Sequence, residues 1–375
     1  SIDSDKSSLL NSLLGGLLGT GINLEVGGWQ GLASADIDLV KFLDLAKVKF
    51  SAATTGELLK TDVTLVDMVD IMIDALKTED ATAKAALGTL GSQIPLLTQK
   101  VTLGEIIQLE TNYGAIATAD INLLSLLTTS IGVFNNKSGI TADVGLDLPP
   151  ADVNLKLKLI EAPVIVLANE GTTLHSAAAR LFLDAQVETQ VGEQVVILRV
   201  PIYIELGSGS ATVTNIEAAN KGSATMDASV SAARSFLGDI TEDFFDSTNK
   251  DFTEADFGQA TILNQPPLKV KAKSYMDAQG AKGVLTFTPL NKAPLKESVK
   301  GEAGTTVSSL LTSLINNTEL DAGAGIDAAE IRDTLNNTLA PALQGLDPLV
   351  EILGVSPGKA DVTVHSAVYT ARMAK

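Results

Sequence analysis

Residues 152–160 read DVNLKLKLI, and this stretch decides the class of fold. Val153, Leu155, Leu157 and Leu159 alternate with polar residues, which is the period-two pattern of an antiparallel strand with one buried face. Similar strands, separated by TQVGEQ and GSGS turns, are predicted at 181–188 (LFLDAQVE), 195–206 (VVILRVPIYIEL) and 211–218 (ATVTNIEA). The simplest topology for these strands is a meander, in which Pro201 marks an edge or a bulge.

The chain after this region predicts further strands and one short helix. We expect a strand after Gly222, a helix over 230–237, and a hairpin that joins 268–275 (LKVKAKSY) to 283–290 (GVLTFTPL). A last strand, ADVTVHSAVYTAR at 360–372, follows a helical stretch and must pair with a strand formed earlier in the chain.

Helical periodicity dominates both ends of the chain. In TLVDMVDIMIDALK (64–77), the spacing predicts a helix that Thr64 and Asp67 cap. We expect two more helices at 81–90 and across GEIIQLE (104–110), and three near the C-terminus. Those three carry a Val307–Ile315 apolar stripe, an Asp327 and Glu330 cap, and a segment bracketed by Asp347, Pro348 and Gly354.

Two stretches repeat each other: LASADIDLVKFL at 32–43 and IATADINLLSLL at 116–127. In each, an alternating segment becomes helically spaced, which predicts a strand that runs into a helix. Trp29 and Tyr113 occupy equivalent places before them, and we expect a strand INLEV (22–26) and a turn or bulge at Gly27 and Gly28. The repeat is typical of a duplicated structural unit.

Together these patterns predict an α+β fold with an antiparallel, meander or sandwich-like β-sheet core and helical segments at both ends. The division is a mixed region at 1–130, a β-rich region at 131–300, and a helical segment with the final strand at 301–375.

Composition narrows the classes of function. The 375 residues carry a formal net charge of −18, which opposes binding to nucleic acid or to anionic membranes. The chain has no cysteine, which excludes disulfides and thiolate chemistry, and no apolar run long enough to span a bilayer. A mean hydropathy of +0.24 with 4% aromatic residues indicates either a large core or apolar surfaces buried in an assembly.

The sequence displays no catalytic or cofactor-binding set. The two histidines, His175 and His365, cannot form a histidine-rich metal site, and both are predicted at the surface. Glycoside hydrolysis needs two paired carboxylates, and nothing selects one pair among 45 acidic residues. Sequons at Asn136, Asn316 and Asn336 match the glycosylation pattern.

One acidic stretch is a calcium candidate, because calcium prefers several carboxylate oxygens. Its spacing fails an EF-hand loop, since Lys250 and Asp251 stand at the fifth and sixth positions from Asp246. The alternative is a solvated acidic connector. The candidate ligands are Asp239, Glu242, Asp243, Asp246 and Asp251, followed by Glu254 and Asp256.

The order of motifs resembles the long C-terminal region of TadG-like proteins of bacterial tight-adherence (Flp) pilus systems. The similar phrases extend over essentially the whole chain. They are SIDSDKSSLLNSLLGGLLG (1–19), GGWQGLASADIDLVKFLDLA (27–46), TTGELLKTDVTLVDMVDIMIDAL (54–76), VTLGEIIQL (101–109), IYIELGSGSATVTNIEAA (202–219), SVSAARSFLGDI (229–240) and LDPLVEILGVSPGKADVTVHS (346–366).

The resemblance implies a non-enzymatic extracytoplasmic protein, in the periplasm or at the cell surface, that takes part in pilus assembly or surface attachment. Its partners would be other proteins of that assembly or a second copy, and membrane contact would come only from an N-terminal anchor helix outside this sequence. Members of the family tend to carry cysteines where this chain has Ala218, Ala219 and Ala367. The open alternatives are a secreted calcium-dependent adhesin-like binding module and a carboxylate-based hydrolase.

Overall fold

The computed structural model describes most of the chain. The described residues are 2–94, 99–109, 120–139, 141–148, 151–162, 164–176, 178–191, 194–217, 222–231, 233–240, 243–245, 252–278, 280–292, 295–300, 306–323, 326–339, 344–347 and 359–364.

Most helices lie near the two ends of the chain and the long strands lie in the middle, so the fold is α+β. The helices are α1 (Ser4–Leu18), α2 (Val26–Ser34), α3 (Leu39–Phe50), α4 (Thr55–Leu58), α5 (Leu65–Ala75), α6 (Ala81–Gln93), α7 (Leu103–Ile106), α8 (Leu123–Ser138), α9 (Val307–Asn316) and α10 (Ala328–Thr334).

The strands from the first half of the chain are β1 (Asp36–Asp38), β2 (Asp62–Val63), β3 (Val101–Thr102), β4 (Ile107–Leu109), β5 (Asp120–Asn122), β6 (Ala142–Leu148), β7 (Ala151–Glu161), β8 (Ile165–Leu167), β9 (Thr173–His175) and β10 (Ala178–Val191). Those from the second half are β11 (Gln194–Leu206), β12 (Gly209–Glu217), β13 (Ser223–Val230), β14 (Ala233–Leu237), β15 (Asp239–Ile240), β16 (Phe257–Gly258), β17 (Ala260–Gln265), β18 (Leu268–Ala278), β19 (Ala281–Phe287), β20 (Leu295–Lys300), β21 (Glu319–Ala322) and β22 (Lys359–Val364).

The main sheet is antiparallel and has the strand order β17-β18-β14-β11-β10-β7-β6, with β21 on β18. Its inner face packs against the helices in one large core. The alternation read in β7 is confirmed, since Val153, Leu155, Leu157 and Leu159 are at most 2% exposed. Because α1 packs on β6 and α8 on β7, the N-terminal helices and the sheet share this core.

A second antiparallel sheet, β19-β13-β12-β9, has its own smaller core. The meander prediction is therefore wrong beyond β11: β10 and β11 form a hairpin, but β12 leaves for the second sheet. Gly209 is the first residue of β12 after this crossing, and its N–H donates to Ser176 Oγ at 2.7 Å. Pro201 lies one residue beyond the segment of β11 that pairs with β14.

Three other predictions are wrong because distant pairing overrides local pattern. The helix predicted over 230–237 is the strand β14, held between β11 and β18. The hairpin predicted between 268–275 and 283–290 does not form, since β18 belongs to the main sheet and β19 to the second. The helix predicted from Gly104 is one turn, α7, followed by β4, which pairs in parallel with β8.

The helix predictions with strong local signals are confirmed. Thr64 and Asp67 form the capping box of α5, and Asp327 caps α10 by accepting from the Ala329 N–H at 2.8 Å. The apolar stripe of α9 is buried. The helix bracketed by Pro348 and Gly354 falls outside the described residues, as does the last strand beyond Val364, whose first part, β22, pairs with β20.

The repeat forms a strand and a helix in both copies, as the pattern predicts. β1 leads into α3 and β5 into α8, and the two strands pair with each other in an antiparallel ribbon. The turn expected at Gly27 and Gly28 is wrong: both lie in α2, which buries Trp29 completely and places its Nε1 3.2 Å from Asn11 Oδ1. INLEV forms no strand, and Tyr113 lies outside the described residues.

Candidate functional site

The acidic connector runs from Asp239 to Gly258, and its two ends meet. β15 and β16 pair antiparallel, with Asp239 opposite Gly258 and Ile240 opposite Phe257. Gly238 is required at this closure, because a Cβ there would lie 2.5 Å from the Gly258 carbonyl oxygen. The two ends of the connector are therefore held together, and its described residues pack on the outer face of the main sheet.

Of the calcium candidates, the structure describes only Asp239, Asp243, Glu254 and Asp256, and it does not gather these four into a metal site. Asp239 and Asp243 are exposed, and Asp243 Oδ1 accepts from the Phe245 N–H at 2.9 Å. Asp256 caps its own turn by accepting from Thr253. Glu242, Asp246 and Asp251 lie outside the described residues. Among the residues that the structure describes, no group of three or more histidine or acidic side chains could hold a metal ion.

Beneath the connector, an aromatic row crosses the main sheet. The strand register places its members side by side on β10, β11, β14 and β18. The ring centroids of Phe182 and Tyr203 lie 4.6 Å apart, and those of Phe236 and Tyr275 lie 5.2 Å apart. The row consists of Phe182, Tyr203, Phe236 and Tyr275. The connector covers it with Phe244, Phe252 and Phe257, and Phe257 stacks on Phe236 at 4.2 Å.

The next row along the same face alternates in charge. Its members are Arg180, Glu205, Arg234 and Asp277, again side by side on four neighbouring strands. Arg180 Nη2 lies 2.8 Å from Glu205 Oε1, and Arg234 Nη1 lies 3.8 Å from Glu205 Oε2. Glu205 thus joins two arginines in a network whose central pair is shielded from water.

Arg180 is the most enclosed member of this row, at 4% exposure. Its Nη1 donates to the Phe244 carbonyl oxygen at 2.9 Å. Its Cζ lies 5.3 Å from the centroid of the Phe244 ring and 4.9 Å from that of Phe252, so the guanidinium also makes cation–π contacts with both rings. The arginine therefore binds the connector and the sheet at once.

Burial shifts the titration of the side chains in these rows. It raises the pKa of Glu205 above its usual range, although Arg180 and Arg234 both oppose the shift. Burial also raises the pKa of Tyr203 to about 12, with the negative charges of Asp239 and Asp184 adding to it. A tyrosine with such a pKa stays neutral near pH 7.

At the far end of the same face, the β10–β11 hairpin exposes aliphatic side chains. Val195 is 61% exposed and Ile197 is 56% exposed. Their cross-strand partners, Gln190 and Glu188, are exposed too. We call these four residues the hairpin patch. Within the patch, β11 carries Val195 and Ile197 at outward-facing positions, where β7 carries polar residues such as Asn154 and Lys156.

The other predicted positions have structural roles or lie at the surface. His175 is exposed in β9, and His365 is outside the described residues. The sequon residue Asn136 donates through Nδ2 to the carbonyl oxygens of Leu159 and Ile160, at 3.2 and 3.0 Å. Asn336 Nδ2 donates to Asn316 Oδ1 at 2.8 Å.

A separate cleft of about 300 Å³ opens between α2 and α6. Its lining includes Gln30, Ser34, Glu79 and Asp80. The two acidic residues are adjacent in sequence at the start of α6, and this arrangement by itself identifies no reaction.

Comparison with known proteins adds one finding. A family model described as a domain of unknown function (DUF8293) matches residues 6–115. This range runs from α1 to the residues before β5, so it contains the first copy of the repeat and ends ahead of the second strand. No curated protein and no solved structure matches the chain. None of the helices that the structure describes is long and apolar enough to cross a bilayer.

Sequence reasoning missed the hairpin patch and the two rows. The patch leaves a signal, because the run VVIL at 195–198 interrupts the alternation expected of a strand with one wet face. The rows leave none in a single strand, since each is assembled from four strands whose register the sequence alone does not give.

Proposed function

We propose that this chain is a non-enzymatic structural component of an extracytoplasmic protein assembly, of the tight-adherence pilus or surface-attachment kind, and that the hairpin patch is a surface through which it binds a partner protein. The observation that carries the proposal is the pair Val195 and Ile197, exposed side by side on one face of a long hairpin. Adjacent exposed aliphatic side chains on a strand favour association with another protein surface.

Two further points support the proposal. The order of sequence phrases resembles TadG-like proteins across the chain, and the mean hydropathy of +0.24 agrees with apolar surface that an assembly covers. The charges favour a partner other than a second copy, because the patch itself contains Glu188 and the whole chain carries a net charge of −18. A partner surface with aliphatic and basic residues would complement it.

The test compares two sets of threonine substitutions in the full chain. Val195→Thr with Ile197→Thr keeps the β-branched shape and removes apolar surface. Val48→Thr is the matched control, because Val48 is 79% exposed on α3 and stands apart from the hairpin. Each protein is used to capture partners from envelope extracts of the source organism, and the captured proteins are identified by mass spectrometry.

We expect an identified pilus or attachment protein to bind the wild type and the Val48→Thr variant, and to be lost with the hairpin variant. Recovery of the same proteins by all three would contradict the proposal. The free energy of unfolding is measured in parallel, and it should change by no more than about 0.5 kcal/mol in the hairpin variant, as is usual for surface substitutions.

A further inference from the structure

The connector meets the main sheet as a bound peptide would. Side chains of the sheet bind the main chain of the connector. Arg180 Nη1 donates to the Phe244 carbonyl oxygen and Lys158 Nζ donates to the Phe245 carbonyl oxygen, both at 2.9 Å. Arg234 Nη1 also donates to the Phe252 carbonyl oxygen at 3.5 Å. These hydrogen bonds are made to main-chain groups, which every peptide carries.

The side chains of the connector enter the same surface through aromatic contacts. Phe257 stacks on Phe236, and Phe244 lies edge-on to Tyr203 at 5.2 Å. Phe252 lies under the Arg180 guanidinium. Ring and backbone contacts together are the two components of peptide recognition on a sheet surface.

Charge adds selectivity to this surface. The connector from Asp239 to Asp256 contains seven acidic residues and one lysine. The sheet side supplies basic groups, and Lys273 Nζ lies 3.6 Å from Glu254 Oε1. The complementary ligand is therefore an acidic, phenylalanine-rich segment. We name this surface the platform and define it by Lys158, Arg180, Tyr203, Glu205, Arg234, Phe236 and Lys273.

The contacts between the connector and the platform are separate from the main core. The phenylalanines of the connector form a cluster with Phe236 that is distinct from the core between the helices and the inner face of the sheet. Removal of the connector would therefore expose one aromatic layer on the outer face. The sheet would keep its register through the inner core and the strand hydrogen bonds.

From these contacts we infer that the platform is a binding surface for acidic, phenylalanine-rich peptide, and that the connector of a second copy of this chain can occupy it. Reciprocal exchange would recreate the same contacts between two copies. The equilibrium between the monomer and the exchanged dimer therefore depends on protein concentration and on how readily each connector closes onto its own platform. The inference rests on the assembly role proposed above for its biological meaning, but it uses a surface separate from the hairpin patch.

Complementation between two defective variants tests the exchange. The first, Phe244→Ala with Phe252→Ala, has a defective connector and an intact platform. The second, Lys158→Met with Arg180→Met and Glu205→Leu, has an intact connector and a defective platform, and it leaves no uncompensated carboxylate beside position 180. Circular dichroism and urea unfolding establish that each is folded.

Native mass spectrometry of the mixed variants should show a heterodimer, while each variant alone stays monomeric. A synthetic peptide of residues 239–258 should bind the first variant and raise its Tm, and a scrambled peptide should not. Binding to the wild type should be at least about tenfold weaker, because its own connector already fills the platform. The milder single variant Phe244→Ala carries the same peptide test with less loss of burial.

Failure of the peptide to bind the folded first variant would overturn the inference. Peptide binding without a heterodimer would overturn the part that assigns the second copy as the source of the ligand. The hairpin variant Val195→Thr with Ile197→Thr should exchange normally, so a failed exchange and a failed hairpin interaction are separable results.

Discussion

Ile37 and Ile121 face each other at the centre of the β1–β5 ribbon, and they are equivalent residues of the two repeated stretches. Asp36 pairs with Asn122 and Asp38 with Asp120, so the register is symmetric about the two isoleucines. The duplicated units therefore pair with one another around a local two-fold axis. The repeat in the sequence is explained by this pairing and needs no duplicated binding site.

The two copies differ at the residue that caps each helix, and the ribbon explains the difference. Asp38 Oδ1 accepts from the Lys41 N–H at 2.9 Å, and Asn122 Oδ1 accepts from the Ser125 N–H at 3.2 Å. Asn122 also donates through Nδ2 to the carbonyl oxygens of Ala33 and Ala35, at 3.0 and 3.3 Å. Aspartate could cap the helix equally well but could not donate these bonds.

Asn122→Asp should therefore lower the free energy of unfolding by about 1–3 kcal/mol, because it removes the Nδ2 hydrogen bonds to Ala33 and Ala35 and sets a carboxylate opposite Asp36. Urea unfolding near pH 7 measures the change. Asp38→Asn is the control, since it keeps the cap and removes one charge from the ribbon. Equal stability of Asn122→Asp and wild type would contradict the role assigned to the amide.

Asp120 should give the ribbon a dependence on pH. Burial raises its pKa, and the charges of Asp38 and Asp36 add to the rise while Lys77 opposes it. The folded chain thus holds this proton more tightly than the unfolded chain, whose carboxyl has the ordinary value of 3.8. As pH rises through 3.8 to the folded value, the unfolded state gains relative stability.

Asp120→Asn should consequently stabilise the chain near neutral pH, and the gain should shrink as the pH falls below 3.8. Unfolding curves at pH 3 and at pH 7, each with wild type as reference, give the comparison. A gain of equal size at both pH values would show that ionisation of Asp120 is not the cause.

The pair Arg180 and Glu205 should matter more for stability than any exposed ion pair. Arg180→Met leaves the Glu205 carboxylate buried without its nearest counter-charge, which costs about 3–5 kcal/mol. Addition of Glu205→Leu should recover most of that loss. Arg199→Met is the comparison, because Arg199 pairs with Asp184 while its own side chain is 65% exposed, and its loss should cost less than about 1 kcal/mol.

The three variants and wild type form a thermodynamic comparison by urea unfolding. If Arg180→Met and Arg199→Met cost the same, burial is not what makes the first pair important. If the double variant is as unstable as Arg180→Met alone, the loss comes from packing around the guanidinium and not from the isolated carboxylate.

Gly16 should be essential where α1 packs on β6. A Cβ at this position would lie 2.6 Å from Val144 Cγ2 and 3.1 Å from Ala142 Cβ. Gly16→Ala should therefore destabilise the chain despite the better helix propensity of alanine. Gly88→Ala in α6 meets no atom within 4 Å and should stabilise by about 0.5–1 kcal/mol. Thermal unfolding measures the Tm of both variants against wild type. A higher Tm for both variants would contradict the close packing at Gly16.

The sequence predicts correctly those elements whose stabilising contacts are between residues close together in the chain. Thr64 and Asp67 are three residues apart and cap α5 by themselves, so the sequence predicts that helix correctly. β14 could not be predicted in this way, because Ser235 and its neighbours become a strand only through pairing with β11 and β18. The crossing of the chain from β18 to β19 depends in the same way on which sheet each strand joins.

The candidate site shows the same division. The carboxylates of the acidic connector are visible in the sequence, and calcium binding is the hypothesis that they support. The burial of Arg180 is not visible, because it depends on Phe244 and Phe252 folding back over a strand more than sixty residues earlier in the chain.

Site-specific photo-cross-linking at position 197 in the source organism is the most direct test of whether the hairpin patch binds a partner protein. A photoreactive amino acid replaces Ile197 in one strain and Val48 in another, and the cross-linked products are identified by mass spectrometry. We predict a discrete product with a pilus or attachment protein from position 197 and none from position 48. An uncross-linked chain at position 197, in cells that display functional pili or attachment, would contradict partner binding at the hairpin patch.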